Sequence, residues 1–217
     1  MKEKPGAFFH RIYSEALLIL SNTNNITESA YIGLGYELET KSGYKVKAIP
    51  KIYHENLFEN FSLSEDTEIP LGKYTFFNLN TEFSTPSGNS FSSQAGLIVG
   101  SFYDGWEVSI SANPRWSVSS TLELEGNYEF NHVSFPSRNQ QFKSHITRLH
   151  IIYMLNTKFS AMAFIQHNSA IDSVIANFRI RYNPREGVDL YLVYNEAVNS
   201  DRNRAIMLKY TYTFNMN

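Results

Sequence analysis

Charged side chains recur at alternate positions in three short segments of this chain, where they could act on ions or charged solutes. They are Lys45, Lys47 and Lys51, then Glu123, Glu125 and Glu129, and finally Arg179 and Arg181. Residues two apart lie on the same face of a β-strand. Such rows could select permeating solutes by charge, as rings of side chains do in channels, or could pair with opposite charges across strands. Pairing is the favoured interpretation, because polar residues face the interior of any water-filled or plugged β-barrel, whether or not it selects solutes.

The segment Trp106 to Trp116 indicates which element would carry these rows. Val108 and Ile110 share one parity with both tryptophans, while Glu107 and Arg115 share the other. This alternation predicts a strand with one apolar and one polar face. Ten residue steps of roughly 3.3 Å, tilted by roughly 40°, cover about 25 Å, the height of the apolar band of an outer-membrane barrel. The two tryptophans would then lie at the two membrane interfaces.

Eleven further segments can be laid out as strands in the same way, and the first of them, Phe8 to Leu20, is the least regular. The sequence therefore predicts an all-β fold: an antiparallel up-and-down transmembrane β-barrel of about twelve strands, or the C-terminal part of a larger one. One domain, residues 1–217, would hold all strands between 8 and 214. The predicted strands are Phe8 to Leu20, Ala30 to Glu39, Tyr44 to His54, Tyr74 to Ser84, Phe91 to Phe102, Trp106 to Trp116, Thr121 to His132, Phe142 to Leu155, Phe159 to Gln166, Val174 to Asn183, Val188 to Asn195 and Arg204 to Phe214.

The two parities assign a place to the charged and the aromatic side chains. The residues predicted to line the lumen are Lys45, Lys47, Lys51, Glu107, Arg115, Glu123, Glu125, Glu129, Arg179 and Arg181. The aromatics predicted at the membrane interfaces are Trp106, Trp116, Tyr128, Phe130, Tyr182, Tyr212 and Phe214. In Phe142 to Leu155 the faces stay open, because Leu149 and Tyr153 compete with Ile146 and Ile152 for the apolar side.

The connections between strands give a second test of this topology. Counted back from a periplasmic C-terminus, one set of turns is short, such as Pro184 to Gly187 and Asn156 to Thr157. The opposite set is longer and rich in Asn, Ser and charge, such as Glu196 to Asn203 and Val133 to Gln141, with Tyr103 to Gly105 as an exception. Short periplasmic turns and long external loops are typical of outer-membrane barrels.

Composition excludes several other classes of protein. Apolar residues make up 42% and aromatic residues 15%, and the formal net charge is −2, so nucleic acid is not expected as a partner. The absence of cysteine excludes disulfides, thiol catalysis and cysteine-bound zinc. No apolar run is long enough for a helical span. Arg11 and Glu15 interrupt the apolar N-terminal stretch, which therefore does not fit a signal peptide.

No constellation of residues predicts catalysis, a metal site or a cofactor. A lipase would need a serine and a histidine held by a third polar group, and none of the many serines stands in a G-x-S-x-G context. The histidines lack ligand spacing. The carboxylates of Glu55 to Gly72 lack the spacing of a calcium loop. This segment is therefore expected to be an acidic, solvated loop.

Five segments resemble the C-terminal barrel of the domain-of-unknown-function 5916 family, outer-membrane proteins of Gram-negative bacteria. They are IPLGKYTF from Ile69, SFYDGW from Ser101, HITRLHIIYMLNTKFSAMAFIQHNS from His145, FRIRYNPREGVDLYLVYNE from Phe178 and LKYTYTF from Leu208. The resemblance covers roughly Tyr31 to Phe214 and implies a fold, since its motifs are strand and turn patterns. Family members carry a signal peptide and a domain similar to family 9 carbohydrate-binding modules. Neither is visible here, so the chain is expected to be N-terminally truncated relative to the family, and no sugar binding is carried over.

The sequence thus predicts a protein of the Gram-negative outer membrane with no enzymatic activity. It would act as a passive pore, a transport component or a membrane anchor. Outer-membrane lipid would surround it, and the barrel-assembly machinery would read its aromatic C-terminal strand during insertion. Two alternatives stay open: a soluble barrel that binds an apolar ligand with the apolar parity inward, and a membrane-embedded lipid hydrolase.

Overall fold

The computed structural model describes residues 6–22, 26–199 and 201–213, and in them the chain is all-β. Fourteen strands follow one another, with a single 3-10 turn at Pro136–Arg138. The strands are β1 (Ala7–Leu20), β2 (Thr27–Thr40), β3 (Lys45–Leu57), β4 (Phe61–Ser64), β5 (Thr67–Ile69), β6 (Gly72–Ser84), β7 (Phe91–Phe102), β8 (Gly105–Ser117), β9 (Leu122–Phe135), β10 (Gln140–Met154), β11 (Phe159–Asn168), β12 (Ser173–Arg185), β13 (Val188–Val198) and β14 (Arg202–Tyr212).

Twelve of these strands form one up-and-down sheet. Their order is β1-β2-β3-β6-β7-β8-β9-β10-β11-β12-β13-β14, so each strand of the sheet pairs with its neighbours along the chain, and β4 and β5 form a separate hairpin. The registers of β1 with β2 and of β13 with β14 are antiparallel. The all-β, antiparallel, twelve-stranded prediction is confirmed. The β4–β5 hairpin is an addition that the alternation did not predict.

The apolar side chains of these strands are on the exposed side. On β14, Ile206 is 75% exposed, Leu208 72% and Tyr210 63%. Among the described residues the buried hydrophobic side chains are Ile69, Phe76, Val133, Phe135 and Val188. Buried polar side chains include Glu37, Asn78, Glu107 and Ser144. This distribution is the reverse of that in a water-soluble sheet, where the apolar face is covered.

Partner strands settle the face that the sequence left open. On β10, Leu149 and Tyr153 are exposed. Arg148 and His150 lie opposite Gln166 and Phe164 of β11. The odd positions of β10 therefore belong to the apolar parity, and Ile146 and Ile152 share the polar one.

The prediction that short turns alternate with long loops is largely wrong. Residues 199–201 and 136–139 connect β13 to β14 and β9 to β10, where eight and nine loop residues were expected. The strands continue into the predicted loops because backbone pairing does not depend on apolar side chains. On β9 the extension ends in Val133 and Phe135, which are buried. The long 58–71 connection is the exception, and it contains the β4–β5 hairpin.

The chain groups into two compact units, each described by itself. The first comprises Met1–Gly88, Ser93–Ala112 and Glu129–Ser144, and the second comprises Asn89–Ser92, Asn113–Tyr128 and His145–Asn217. No helix in the described ranges is long and apolar enough to span a membrane.

A hydrophobic core lies in the first unit, and the hairpin forms part of it. Ile69, Val133 and Phe135 are its centre, and Leu57, Leu63, Tyr74, Phe102, Tyr103 and Phe142 pack around them. Thr67 of the hairpin is also buried, and its hydroxyl donates to the Gln141 carbonyl at 2.9 Å. The prediction of a solvated acidic loop from Glu55 to Gly72 is therefore wrong. The turn residues Glu65 and Asp66 are exposed, whereas Thr67 and Ile69 are buried. Two buried positions are too short a pattern to recognise in the sequence.

Candidate functional site

Each strand of the sheet has a polar parity, opposite to the exposed apolar one, which we call the polar face. All the residues predicted to line a lumen belong to it: Lys45, Lys47, Lys51, Glu107, Arg115, Glu123, Glu125, Glu129, Arg179 and Arg181. Antiparallel pairing places side chains of the same parity from neighbouring strands side by side. The chemistry of the polar face therefore depends on which residues face each other across strands. That these residues line a water-filled space stays a prediction.

In the first unit the lysine row of β3 is fully paired with carboxylates. Lys45 lies 3.3 Å from Glu39, and Lys47 lies 3.3 Å from Glu82. Lys51 contacts Glu15. These carboxylates come from β2, β6 and β1, so the row is neutralised from both sides. The predicted pairing of opposite charges is present here.

A fourth ion pair of the first unit joins Arg11 of β1 to Glu37 of β2, which lie directly opposite each other. The Glu37 carboxylate is 4% exposed, so the guanidinium supplies a partner that water cannot. The sequence pattern did not indicate this pair, because the alternation is least regular in the segment that forms β1. A register between the first two strands would have revealed it.

The predicted polar residue Glu107 is buried against Asn78 of β6. The Asn78 amide Nδ2 donates to Glu107 Oε1 at 2.8 Å. Gly100 of β7 lies opposite Asn78, and a Cβ at Gly100 would come 2.4 Å from the Phe77 carbonyl oxygen. The glycine thus leaves room for a hydrogen bond that crosses one whole strand. A glycine inside a strand pattern is the signal that could have indicated this close approach.

An aromatic row on the polar face leads to the hydrophobic core of the first unit. Tyr31 packs on Tyr53 at 5.6 Å between ring centroids, Tyr53 stacks on Phe76 at 5.1 Å, and Phe76 contacts Tyr103 at 5.0 Å. Tyr103 occupies the turn between β7 and β8, where burial raises its pKa to about 12. The polar face of this unit therefore becomes apolar where the β4–β5 hairpin covers it.

Arg138 fastens the hairpin to the turns beside it. Its guanidinium forms an ion pair with Asp104 and donates to the Glu68 carbonyl oxygen at 3.1 Å. The same group lies 4.2 Å from the ring centroid of Phe135. One side chain thus connects the β7–β8 turn, the hairpin and the end of β9. The sequence analysis gave this arginine no role.

In the second unit, Arg115 of β8 joins the acidic row of β9. Its guanidinium Nη2 donates to both oxygens of Glu123, at 2.8 and 2.9 Å, and its Nε lies 3.6 Å from Glu125. Glu125 in turn lies 3.1 Å from Nδ1 of His150. Glu129, the third acidic residue, lies on the same parity of β9 within the first unit. The sequence pattern placed Arg115 and the three glutamates on one face, but it did not predict that Arg115 pairs with Glu123 or that His150 contacts Glu125.

A pocket of about 360 Å³ lies over this network. Its lining includes Arg115, Glu125, Arg148, His150 and Phe164. Arg148 donates through Nε to Gln166 Oε1 at 3.0 Å. The pocket offers charged and amide groups beside one aromatic face. Arg115 and His150 both contact the Glu125 carboxylate, while Arg148 donates to the amide oxygens of Gln166 and Asn127.

The second basic pair, Arg179 and Arg181, has unequal surroundings. Arg181 Nε donates to Asp189 Oδ1 at 2.7 Å, and the Asn183 amide donates to the same oxygen at 3.0 Å. Arg179 is exposed and lies opposite Met162 on one side and Val193 on the other. Within the described ranges no carboxylate pairs with it. The sequence pattern gave the two arginines the same role, whereas in the described structure only Arg181 pairs with a carboxylate.

Most aromatics predicted at membrane interfaces are exposed on the apolar parity. Trp106, Trp116, Tyr128, Tyr182 and Tyr212 are exposed, and Phe130 is half-buried. Trp106 and Trp116 occur at the two ends of β8. Phe214 lies outside the described residues. Beyond the apolar stretch of β13 and β14, Glu196 accepts from Arg204 at 3.0 Å, so charge replaces apolar side chains there.

No group of three or more His, Cys, Asp or Glu side chains that could hold a metal ion occurs in the part of the chain that the structure describes. The contacts of His145 illustrate how its histidines are used. Its Nδ1 lies 2.9 Å from the Tyr128 hydroxyl, and its backbone N–H donates to Ser169 Oγ. That serine therefore meets the histidine backbone rather than its ring. This contact has no geometry for activating a nucleophile.

Comparison with known proteins gives distant structural matches only. No family model matches the chain, and no curated protein matches it. Among solved structures, "KdgM porin in complex with disordered oligogalacturonate" has a TM-score of 0.35 and 11% identity, covering 95% of this chain and 100% of that chain. "NanC porin structure in rhombohedral crystal form" has a TM-score of 0.37 and 9% identity, covering 94% and 99%. TM-scores of this size do not establish a common fold.

Proposed function

We propose that this chain is a β-barrel protein of the Gram-negative outer membrane and acts as a passive pore. One observation carries the proposal: the apolar parity of the sheet is exposed, while the polar parity holds most of the described ion pairs and the buried carboxylates. In lipid this arrangement is stable, because apolar side chains face hydrocarbon and polar ones face away from it. In water it would expose apolar surface along almost every strand.

The soluble barrel is disfavoured by the same observation. It needs the apolar parity to be covered, and Ile206 and Leu208 are among the most exposed side chains. A barrel that only anchors another domain, or serves as a transport component, has the same sheet as a pore. We favour a pore over an anchor because the polar parity carries charged rows on several strands, as the walls of selective channels do.

The partners follow from the proposed location. Outer-membrane lipid would surround the apolar parity, the barrel-assembly machinery would insert the chain, and nucleic acid would have no role. A sheet in lipid must have no open edge, because each unpaired backbone group there costs several kcal/mol. The backbone groups at the outer edges of β1 and β14 are therefore expected to have hydrogen-bond partners in the membrane. Membership of the domain-of-unknown-function 5916 family and the lack of enzymatic activity are part of this proposal.

The test is refolding of the chain in detergent, followed by insertion into planar lipid bilayers. A heat-dependent change in gel mobility and a strand-type circular dichroism spectrum are expected, then stepwise conductance. A β spectrum with solubility in plain buffer would contradict the membrane location. Stable insertion without conductance would favour an anchor.

Adjacent residues on β14 provide a matched control. Leu208→Arg places charge on the apolar parity, and near the bilayer centre this is expected to cost roughly 2–4 kcal/mol of folding free energy. Met207→Arg places the same side chain on the polar face and is expected to be tolerated. Denaturant unfolding in lipid vesicles measures both. Equal effects at the two positions would contradict the assignment of faces.

A further inference from the structure

Three cations share the polar face of β12 and β14 in the second unit. Arg179 and Arg181 are two residues apart on β12. Arg181 lies opposite Tyr191 of β13, and Tyr191 lies opposite Lys209 of β14. Neighbouring strands are roughly 4.8 Å apart, so long side chains from β12 and β14 reach the same space. We call Arg179, Arg181 and Lys209 the basic triad.

The triad has less negative charge than it needs for neutrality. One oxygen of Asp189 accepts hydrogen bonds from Arg181 at 2.7 Å and from Asn183 at 3.0 Å, so this carboxylate neutralises Arg181. In the described part of the chain, neither Arg179 nor Lys209 has a carboxylate in ion-pair contact. Elsewhere on the polar face the lysines of β3 each meet a glutamate. The unpaired charges of the triad thus differ from the lysine row of β3, although both appear as basic rows in the sequence.

The surroundings of Arg179 strengthen its field. Met162 and Val193 lie opposite it on the two neighbouring strands. Apolar walls beside like charges concentrate the potential and raise the local concentration of counter-ions. A guanidinium also presents a planar fork that fits two oxygens of a carboxylate or a phosphate.

A pocket of about 220 Å³ lies beside the triad. Two members of the triad, Arg179 and Arg181, line it together with the hydroxyl-bearing Tyr191 and Ser160, and the rest of its wall is apolar. Both hydroxyl groups can donate hydrogen bonds to an anion. The volume accepts one small anionic group with water, while the rest of a larger solute would extend along the polar face.

We propose that the basic triad is a binding subsite for oxyanions, so that the pore prefers anionic solutes carrying carboxylate or phosphate groups. The preference rests on the proposed pore function. The binding of anions does not, because it can be measured on the refolded protein in detergent.

The binding experiment uses calorimetric titration with citrate and, separately, inorganic phosphate. The variant Arg179→Gln/Lys209→Gln removes both unpaired cations and is expected to bind citrate about tenfold more weakly or worse, since charge-assisted hydrogen bonds are the strong ones. The control Lys41→Gln/Lys73→Gln removes two positive charges outside the polar face and is expected to bind as the parent does. The two titrations distinguish the two kinds of anionic solute. Binding of phosphate alone would identify phosphate esters as the solutes of the subsite, and binding of citrate alone would identify carboxylates.

The transport experiment measures reversal potentials across bilayers under a potassium chloride gradient. The parent is expected to prefer chloride, the triad variant to lose this preference, and the control to keep it. Conductance without anion preference, together with no binding of citrate or phosphate, would overturn the subsite and leave the pore. Binding that the triad variant loses, without any conductance, would overturn the pore and keep the subsite. Equal binding in triad variant and control would overturn the subsite by showing non-specific attraction.

Discussion

The polar faces of the two units neutralise their charges differently. In the first unit Lys45, Lys47 and Lys51 each meet a glutamate from another strand of the sheet. In the second unit Arg181 meets Asp189, while Arg179, two residues away, faces Met162 and Val193. Both segments read alike as basic rows in the sequence. The difference shows that the charge of such a row is decided by the strands beside it, and that an unpaired cation on a largely paired face deserves a functional explanation.

The units differ most in packing, and the largest expected effect tests that difference. Phe135 is fully buried in the core beneath the hairpin of the first unit. Phe135→Ala should therefore lower the free energy of unfolding by roughly 3–5 kcal/mol. Phe164→Ala, at a half-buried ring of the second unit, should cost roughly 1–2 kcal/mol because less apolar surface is lost. Denaturant titration measures both, and equal losses would show that the hairpin core adds no special stability.

Removing one lysine should separate paired from unpaired cations. Lys51→Gln leaves Glu15 without its partner on a face where the two side chains are 16% and 30% exposed. We expect a loss of roughly 1–2 kcal/mol, between the values for exposed and buried pairs. Arg179→Gln removes a charge that has no carboxylate partner and should leave stability nearly unchanged. The same unfolding assay applies, and a large loss at Arg179 would reveal a structural role for it.

A new carboxylate beside Arg179 should make the second unit resemble the first. Met162 lies directly opposite Arg179, so Met162→Glu would supply the missing partner. The anion preference of the conductance should fall, and citrate should bind about tenfold more weakly. Met162→Gln, of similar size without charge, should keep both properties. If Met162→Glu leaves selectivity intact, Arg179 is not the residue that sets it.

The smallest expected effect concerns pH, and it belongs to the first unit. Burial raises the pKa of Tyr103 to about 12, above the ordinary value of 10.0. Its contribution to stability is complete below pH 10, where the phenol is neutral in both folded and unfolded chains. It is lost as pH rises towards 12, because the unfolded chain ionises first. Absorbance titration of tyrosinate, compared with Tyr103→Phe, should show one fewer late-ionising group in the variant.

The sequence was sufficient for what depends on one strand alone. The alternation around Trp106 to Trp116 predicted a strand with its apolar parity on one side, and the count of twelve sheet strands is confirmed. Both follow from the two-residue period of side chains in a strand. The exposed position of that apolar parity also agrees with the membrane expectation.

What the sequence could not predict depends on contacts between distant segments. The pair of Arg11 with Glu37 needs the register of β1, and the bond between Asn78 and Glu107 needs Gly100 between them. The hairpin was missed because Thr67 and Ile69 are buried by β9 and β10, far along the chain. Charged residues around these two anchors made the segment resemble a solvated loop.

The hairpin has buried anchors and an exposed tip, and this separation is useful for labelling the protein. Thr67 and Ile69 are fixed in the core, whereas Glu65 and Asp66 form the turn and are exposed. A short epitope inserted between Glu65 and Asp66 would leave both anchors in place, because exposed turns tolerate added residues. Antibody staining of intact cells could then report which side of the envelope this end of the sheet faces.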